Sequence, residues 1–295
     1  MDWEKLKIFH VVAEAGSFTH AGEALGLSQS AVSRQISALE QELKVPLFHR
    51  HARGLLLTEQ GELLFRTAHE VASKLDATRA LLTDSRDKPN GELKVTTAVG
   101  LGSFWLAPRL GEFLDLYPDI RIQLILSDEE LDLGMREADV AIRLRQPVQG
   151  DLVQRKLFTV HFHAYASPAY LKRHGQPQSP EELDGHRLLL LGGQVPSFYQ
   201  HLNWLAGAGR DGNEPRPGSL VINNVMGLKV AVEHNAGIAT LPDYIAEESG
   251  LVQLFGGREA PSLDAYYVYP EELRAVARVQ VFRDFLVTKA QRWNY

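Results

Sequence analysis

Gln29, Ser30, Ser33, Arg34 and Ser37 follow one another at spacings of one, three, one and three. On a helix these steps gather side chains on one face. The residue types suit base and phosphate recognition. A glutamine amide matches the N6/N7 edge of adenine, an arginine fork matches the O6/N7 edge of guanine, and serine hydroxyls donate to bases or phosphates. The B-DNA major groove is about 12 Å wide and admits one helix. The start of such a helix also offers free N–H groups and a partial positive charge to a phosphate. Arg50 and Arg53 come shortly after, where a hairpin would carry them to a sugar–phosphate backbone, and Thr58 completes this candidate set.

The surrounding pattern supplies elements to position these groups. Trp3, Leu6, Phe9, Val12 and Ala13 repeat at helical spacing, and Gly16 and Ser17 end one helix and cap the next. Phe18, Ala21, Ala24 and Leu25 mark a short second helix that stops at Gly26. Ser28 is a natural N-cap for a third helix over 29–43, whose Val32, Ile36, Leu39 and Leu43 form an apolar stripe opposite the polar face. Pro46 breaks it, and 47–57 reads as two short strands around a turn at Arg53–Gly54. Thr58 can also cap a long helix to about residue 84. Its Leu64, Ala68, Val71, Leu75 and Leu82 recur near a 3.5-residue period that suits pairing with another helix. Two helices joined by a glycine-containing turn describe a helix-turn-helix. A small helical bundle with a solvated polar face fits the same pattern.

Composition narrows the class. The chain has 295 residues, 44% hydrophobic and 23% charged, and no cysteine. That excludes a disulfide scaffold, a thiolate metal site and a cysteine nucleophile. The first residues lack the apolar run of a secretory leader, and no eighteen-residue apolar stretch occurs, so a cytoplasmic protein with no membrane partner is expected. The net charge is −6, unusual for a nucleic-acid binder. Between Ser28 and Thr58, however, four basic residues face two acidic ones. So modest a patch binds phosphate weakly and calls for several copies acting together.

Past a Pro-Asn-Gly linker at 89–91 the pattern becomes mixed α/β. Strands are expected at 93–99, 120–127 and 138–144, with a helix over 103–116 between the first two, a unit that implies a parallel pair. His161 and His163 share one side of a strand, but no third ligand accompanies them, and no metal site is assigned. Gly100-Leu101-Gly102 lacks the small residue a dinucleotide fingerprint needs, since Trp105 stands there. G-x-S-x-G, Walker and H-E-x-x-H motifs are absent, so neither a catalytic residue nor a cofactor is expected.

Residues 6–61 closely resemble the N-terminal domain of LysR-type transcriptional regulators. The matching elements are F-x-x-V-A-E-x-G-S-F at 9–18, A-x-x-x-L-x-x-S-Q-S-A-V-S-R-Q-I at 21–36, L-E-x-x-L at 39–43, L-F-x-R at 47–50 and L-T-x-x-G at 57–61. The resemblance continues in P-x-L-x-x-F-x-x-x-Y-P at 108–118, D-V-A-I-R at 139–143, A-S-P-A-Y-L at 166–171 and A-G-I-A-x-L-P at 236–242. It implies an α/β multi-domain fold: a winged helix-turn-helix over 1–58, a linker and dimerisation helix over 59–90, and a two-lobed periplasmic-binding-protein-like (type II) effector domain. Lobe I would hold 91–162 and 267–295, and lobe II 163–266. DNA contacts are implied for Gln29, Ser30, Ser33 and Arg34, although residue 30 is often proline in the family, and wing contacts for Arg50 and Arg53. The linker helices are expected to pair into dimers or tetramers.

Ligands of such folds bind between the lobes, at strand ends and helix starts. That directs attention to Val99, Gly100, Leu101 and Ser103, to Ser127 and Asp128, to Arg143, and to Asn223 and Asn224. Helix starts and Arg143 suggest a small organic or aromatic acid as effector. Promoter DNA, that effector and further copies of the chain are the expected partners, with RNA polymerase added if the protein activates. A cytosolic solute-binding protein or small enzyme on the same two-lobed fold would account for 91–295 but leave 1–60 unused.

Overall fold

The computed structural model describes residues 2–51, 54–83, 89–147, 150–193, 196–210, 214–256 and 261–295; the side chains of 50, 51, 54, 70, 73, 74, 76–83 and 248 lie outside the description. The chain divides into two compact units, Met1–Thr83 with Gly134–Arg136, and the rest.

In the first unit, α1 (Trp3–Ala15) ends at Gly16, whose φ of 58° is the left-handed turn expected of a glycine cap. Ser17 caps α2 (Phe18–Leu25), and Ser28 caps α3 (Gln29–Leu43) by accepting the Ala31 N–H at 3.2 Å. The turn between α2 and α3 is tight: a Cβ on Gly22 would come within 2.7 Å of the Leu27 carbonyl oxygen. Val32, Ile36 and Leu39 are fully buried against Phe9, Val12 and Ala21. Burial of each such side chain stabilises by about 1.5–3 kcal/mol and fixes which face of α3 looks outward. A hairpin follows, β1 (Phe48–His51) with β2 (Gly54–Leu57). Its start is clipped to α3 by Glu40, whose carboxylate accepts the Leu47 and Phe48 N–H groups.

The long α4 (Glu59–Thr83) begins at Thr58. Two expectations change here. Thr58 is only 5% exposed; its hydroxyl donates to the Pro46 carbonyl and accepts the Gly61 N–H. It is a structural cap, not a DNA-facing group. Leu64 and Ala68 also leave the proposed pairing seam, because the first turns of α4 lie on α1 and these two side chains belong to the core of this unit. Val71 and Leu75 are exposed, and the Leu82 side chain lies outside the description.

Among the described residues, the second unit is built on a nine-stranded sheet system. In chain order come β3 (Gly91–Thr97), α5 (Val99–Leu101), a π-turn (Gly102–Leu106), α6 (Ala107–Leu116), β4 (Ile120–Leu126), β5 (Val140–Arg143), β6 (Leu152–Ala166), α7 (Pro168–His174) and β7 (Leu188–Leu191). Then follow β8 (Leu220–Ile222), α8 (Val225–Glu233), β9 (Ile238–Pro242), α9 (Asp243–Ala246), β10 (Val252–Leu254), β11 (Ser262–Pro270) and α10 (Ala277–Ala290). Strand order is β4-β3-β5-β11-β6-β9-β7-β8, with β10 also on β6. The β3–β4 pair is parallel, as the strand-helix-strand pattern requires.

β6 makes two lobes from one sheet path. Its residues 152–161 pair with β11, and 162–166 pair with β9 and β10. The chain returns to lobe I at Ser262, earlier than the 267 expected, because β11 pairs with β6 along its whole length. His161 and His163 sit at that crossing; His163 Nδ1 lies 2.8 Å from an Asp243 carboxylate oxygen that also accepts the Tyr165 hydroxyl at 2.9 Å.

Candidate nucleic-acid interface and ligand cavity

The outward face of α3 carries Gln29, Ser30, Arg34 and Gln41 exposed, with Ser33 and Ser37 half-buried. Gln29, Ser33 and Arg34 have no side-chain hydrogen bond or ion pair among the described residues. An exposed cation with no partner among the described residues is available to a phosphate or a base edge. Ser30 lies 3.2 Å, oxygen to oxygen, from the capping Ser28 hydroxyl, so its own hydroxyl is held at the helix start. Of the two wing arginines, Arg50 falls on β1 with its side chain outside the described residues, and Arg53 lies outside them altogether.

In the second unit a cavity of about 620 Å³, counting its open mouth, lies between the lobes. Of the residues expected there, Gly100, Leu101, Asp128 and Asn223 line it. Gly100 is required by close packing: a Cβ would meet Val225 Cγ1 at 2.9 Å and Ile245 Cδ1 at 3.0 Å across the lobe boundary. Asp128 joins the lobes. Its carboxylate accepts the Val99 N–H at 3.1 Å and the Asn224 side-chain N–H at 2.7 Å. Burial holds its carboxyl above the ordinary carboxylate range, against the pull of those two hydrogen bonds.

The remaining expected residues are placed differently. Val99 and Asn224 hold Asp128, and Asn224 also caps α8 by accepting the Met226 and Gly227 N–H groups. Ser127 makes a local turn with Glu129 and, with Arg143, lines a smaller adjoining cavity. Ser103 sits in the π-turn and lines neither cavity. Arg143 is 9% exposed, donates to the Leu131 carbonyl at 2.8 Å and faces the Glu130 carboxylate at 4.0 Å. Burial lowers its basicity. It does meet a carboxylate, but one the protein supplies.

Sequence reading missed Tyr199, Thr240 and Tyr244, which supply cavity hydroxyls, and Asn203, whose amide is spent on both polar groups of Leu191. No hydrogen bond holds the Tyr199 or Tyr244 hydroxyl among the described residues. Burial first, then negative neighbours including Asp128, push both phenols up, so they remain protonated donors. No local motif marks these residues; only the β7, β9 and α9 contacts bring them together.

The first unit matches the family model described as bacterial regulatory helix-turn-helix protein, lysR family, over residues 3–62, and the second matches the LysR substrate binding domain over 86–291. Relatives include an HTH-type transcriptional regulator of Xanthomonas campestris, 34% identical over 96% of this chain and 83% of its own length. The regulator CrgA of Neisseria meningitidis is 35% identical over 96% of this chain and 95% of its own. Among solved structures, that of CrgA, a LysR-type transcriptional regulator, aligns with a TM-score of 0.62 at 31% identity, covering 98% of this chain and 99% of the other.

Proposed function

This chain belongs to the LysR family of bacterial regulatory helix-turn-helix proteins, a DNA-binding transcription regulator with a C-terminal effector-binding domain, and on that premise we propose how its residues divide the work. Gln29, Ser33 and Arg34 read base edges from α3, with Ser30 and Ser37 at the phosphates beside them. Arg50 and Arg53 meet the backbone from the wing. The observation that carries this reading is the exposed Arg34, without a partner among the described residues, on a helix whose Val32, Ile36 and Leu39 are fully buried.

One basic patch of this size binds weakly, so several copies act together, paired through the exposed Val71 and Leu75 on α4. Promoter DNA, a small-molecule effector and further copies of the chain are the partners, and RNA polymerase joins them where the protein activates. No helix among the described residues is long and apolar enough to cross a membrane, and we place the protein with its DNA in the cytoplasm.

The cavity between the lobes takes the effector. A small organic acid, the class suggested by helix starts and Arg143, fits this site poorly. The α5 start is filled by Asp128, the α8 start by Asn224, and Arg143 faces the adjoining cavity. Asp128 is the one charged side chain among the described residues lining the main cavity, beside Leu189, Leu191, Phe162 and two unpaired phenols. Such a lining favours an apolar or aromatic molecule bearing a neutral or cationic hydrogen-bonding group.

A gel-shift titration against the DNA upstream of the protein's own gene, at about 50 and 200 mM salt, tests the DNA half. Specific binding that weakens steeply with salt is expected; no specific binding at either salt defeats it in favour of a solute-binding protein. A thermal-shift screen tests the effector half, with neutral and cationic aromatic compounds expected to stabilise and simple carboxylic acids not to.

A further inference from the structure

His10 and Glu14 stand one helical turn apart on α1, facing His69 on α4, all within the first unit. His10 Nε2 and His69 Nδ1 are 2.8 Å apart, and Glu14 Oε1 lies 3.6 Å from the first and 3.7 Å from the second. The two histidine side chains are 13% and 14% exposed, while Glu14 is 49% exposed and leaves a way in from solvent. Phe65 covers the imidazoles, its ring 5.5 Å from His10 and 5.7 Å from His69. The other nitrogen of His69, Nε2, is buried with no hydrogen-bond partner among the described residues, and it is Nδ1 that faces this cluster.

We propose that His10, Glu14 and His69 bind a divalent transition-metal ion of the zinc type, clasping α1 to α4. Donors at about 2.0–2.2 Å from a tetrahedral zinc stand about 3.3 Å from one another. The three separations observed bracket that value, and a small rotation of either imidazole opens the short one. Two imidazoles and one carboxylate, with a fourth position left to water, suit zinc, nickel or copper and not magnesium, which demands an oxygen shell. The aromatic cover lowers the local polarity, which strengthens a charged site. The i, i+4 spacing of His10 and Glu14 was visible in the sequence, but His69 enters only through the packing of α4 on α1. Because α4 carries the exposed Val71 and Leu75, a bound ion would also stiffen the base of the pairing helix.

The full chain, without an affinity tag, is titrated calorimetrically with zinc chloride and, in parallel, with magnesium chloride, while cobalt(II) reports coordination by its visible absorption. One zinc per protomer, no comparable magnesium binding and a tetrahedral cobalt spectrum are expected. H10Q and H69Q should each weaken zinc binding by about tenfold or more. E14Q, at a half-exposed position, should weaken it as well, and H161Q, on a strand of the other unit, should leave it unchanged. Should a histidine variant fold poorly, E14Q still decides. Absence of stoichiometric zinc binding, equal affinity in the wild type and E14Q, or magnesium binding as tightly as zinc overturns the site.

Discussion

On the outward face of α3, Gln29 and Arg34 have no side-chain partner among the described residues; around the cavity the polar groups hold one another. Arg34 and Gln29 are exposed and unpartnered among the described residues. Asp128, Asn224 and Asn203 are instead committed to backbone or side-chain partners before any ligand arrives. The first surface suits the proposed DNA partner, which brings its own complement of acceptors. The second is a joint between two lobes, where the proposed ligand would add contacts to groups that already tie the lobes together.

Three substitutions and one titration should separate the two regions. Ile36→Ala empties part of the stripe beneath α3 and should destabilise the first unit by about 2–5 kcal/mol. DNA binding should fall while ligand-induced stabilisation of the effector domain survives; loss of both would mean that the two regions do not stand apart. Gly100→Val drives methyl groups into Val225 and Ile245 and should cost the effector domain about 1–3 kcal/mol. Ligand binding should weaken with DNA affinity intact, as thermal shift and gel shift would show. Ser28→Ala removes the α3 cap at a cost of about 0.5–2 kcal/mol, read in chemical denaturation of the first unit.

The smallest effect concerns acidity. The carboxyl of Asp128 is held above its unfolded value, so the unfolded chain releases this proton first as pH rises. Stability contributed here is present below the ordinary carboxylate value of about 3.9 and is lost as pH rises through the folded-state value. Asp128→Asn should flatten that part of the pH–stability curve of the effector domain, and an unaltered curve would remove Asp128 from the account.

Much of the first unit was legible because its signals are local. Gly16, Gly26 and Ser28 mark element ends within a few residues, and the Val32-Ile36-Leu39 stripe names both the core face and the outward face of α3. Thr58 shows the limit of that reading. A cap and a surface hydroxyl look alike in sequence, and only the carbonyl of Pro46 decides between them. Leu64 and Ala68 fit a pairing seam by period, yet the period cannot say whether the partner helix is α1 of the same chain. In the effector domain the strand ends point to Gly100, Leu101, Asp128 and Asn223, and these four line the cavity. The cavity hydroxyls of Tyr199, Thr240 and Tyr244 come from three separate segments without a shared motif. Arg143 lines an adjoining cavity with Glu130 and the Leu131 carbonyl already on it, which charge alone does not reveal.

Direct access of α3 to base edges is the claim on which the rest depends. It is tested by measuring the affinity of wild type and Arg34→Ala for the operator and for each of its single-base variants. The expected result is a loss of about 1–3 kcal/mol for the variant, together with lost discrimination at one base position that the wild type distinguishes. Equal affinity and equal discrimination in the two proteins would contradict it.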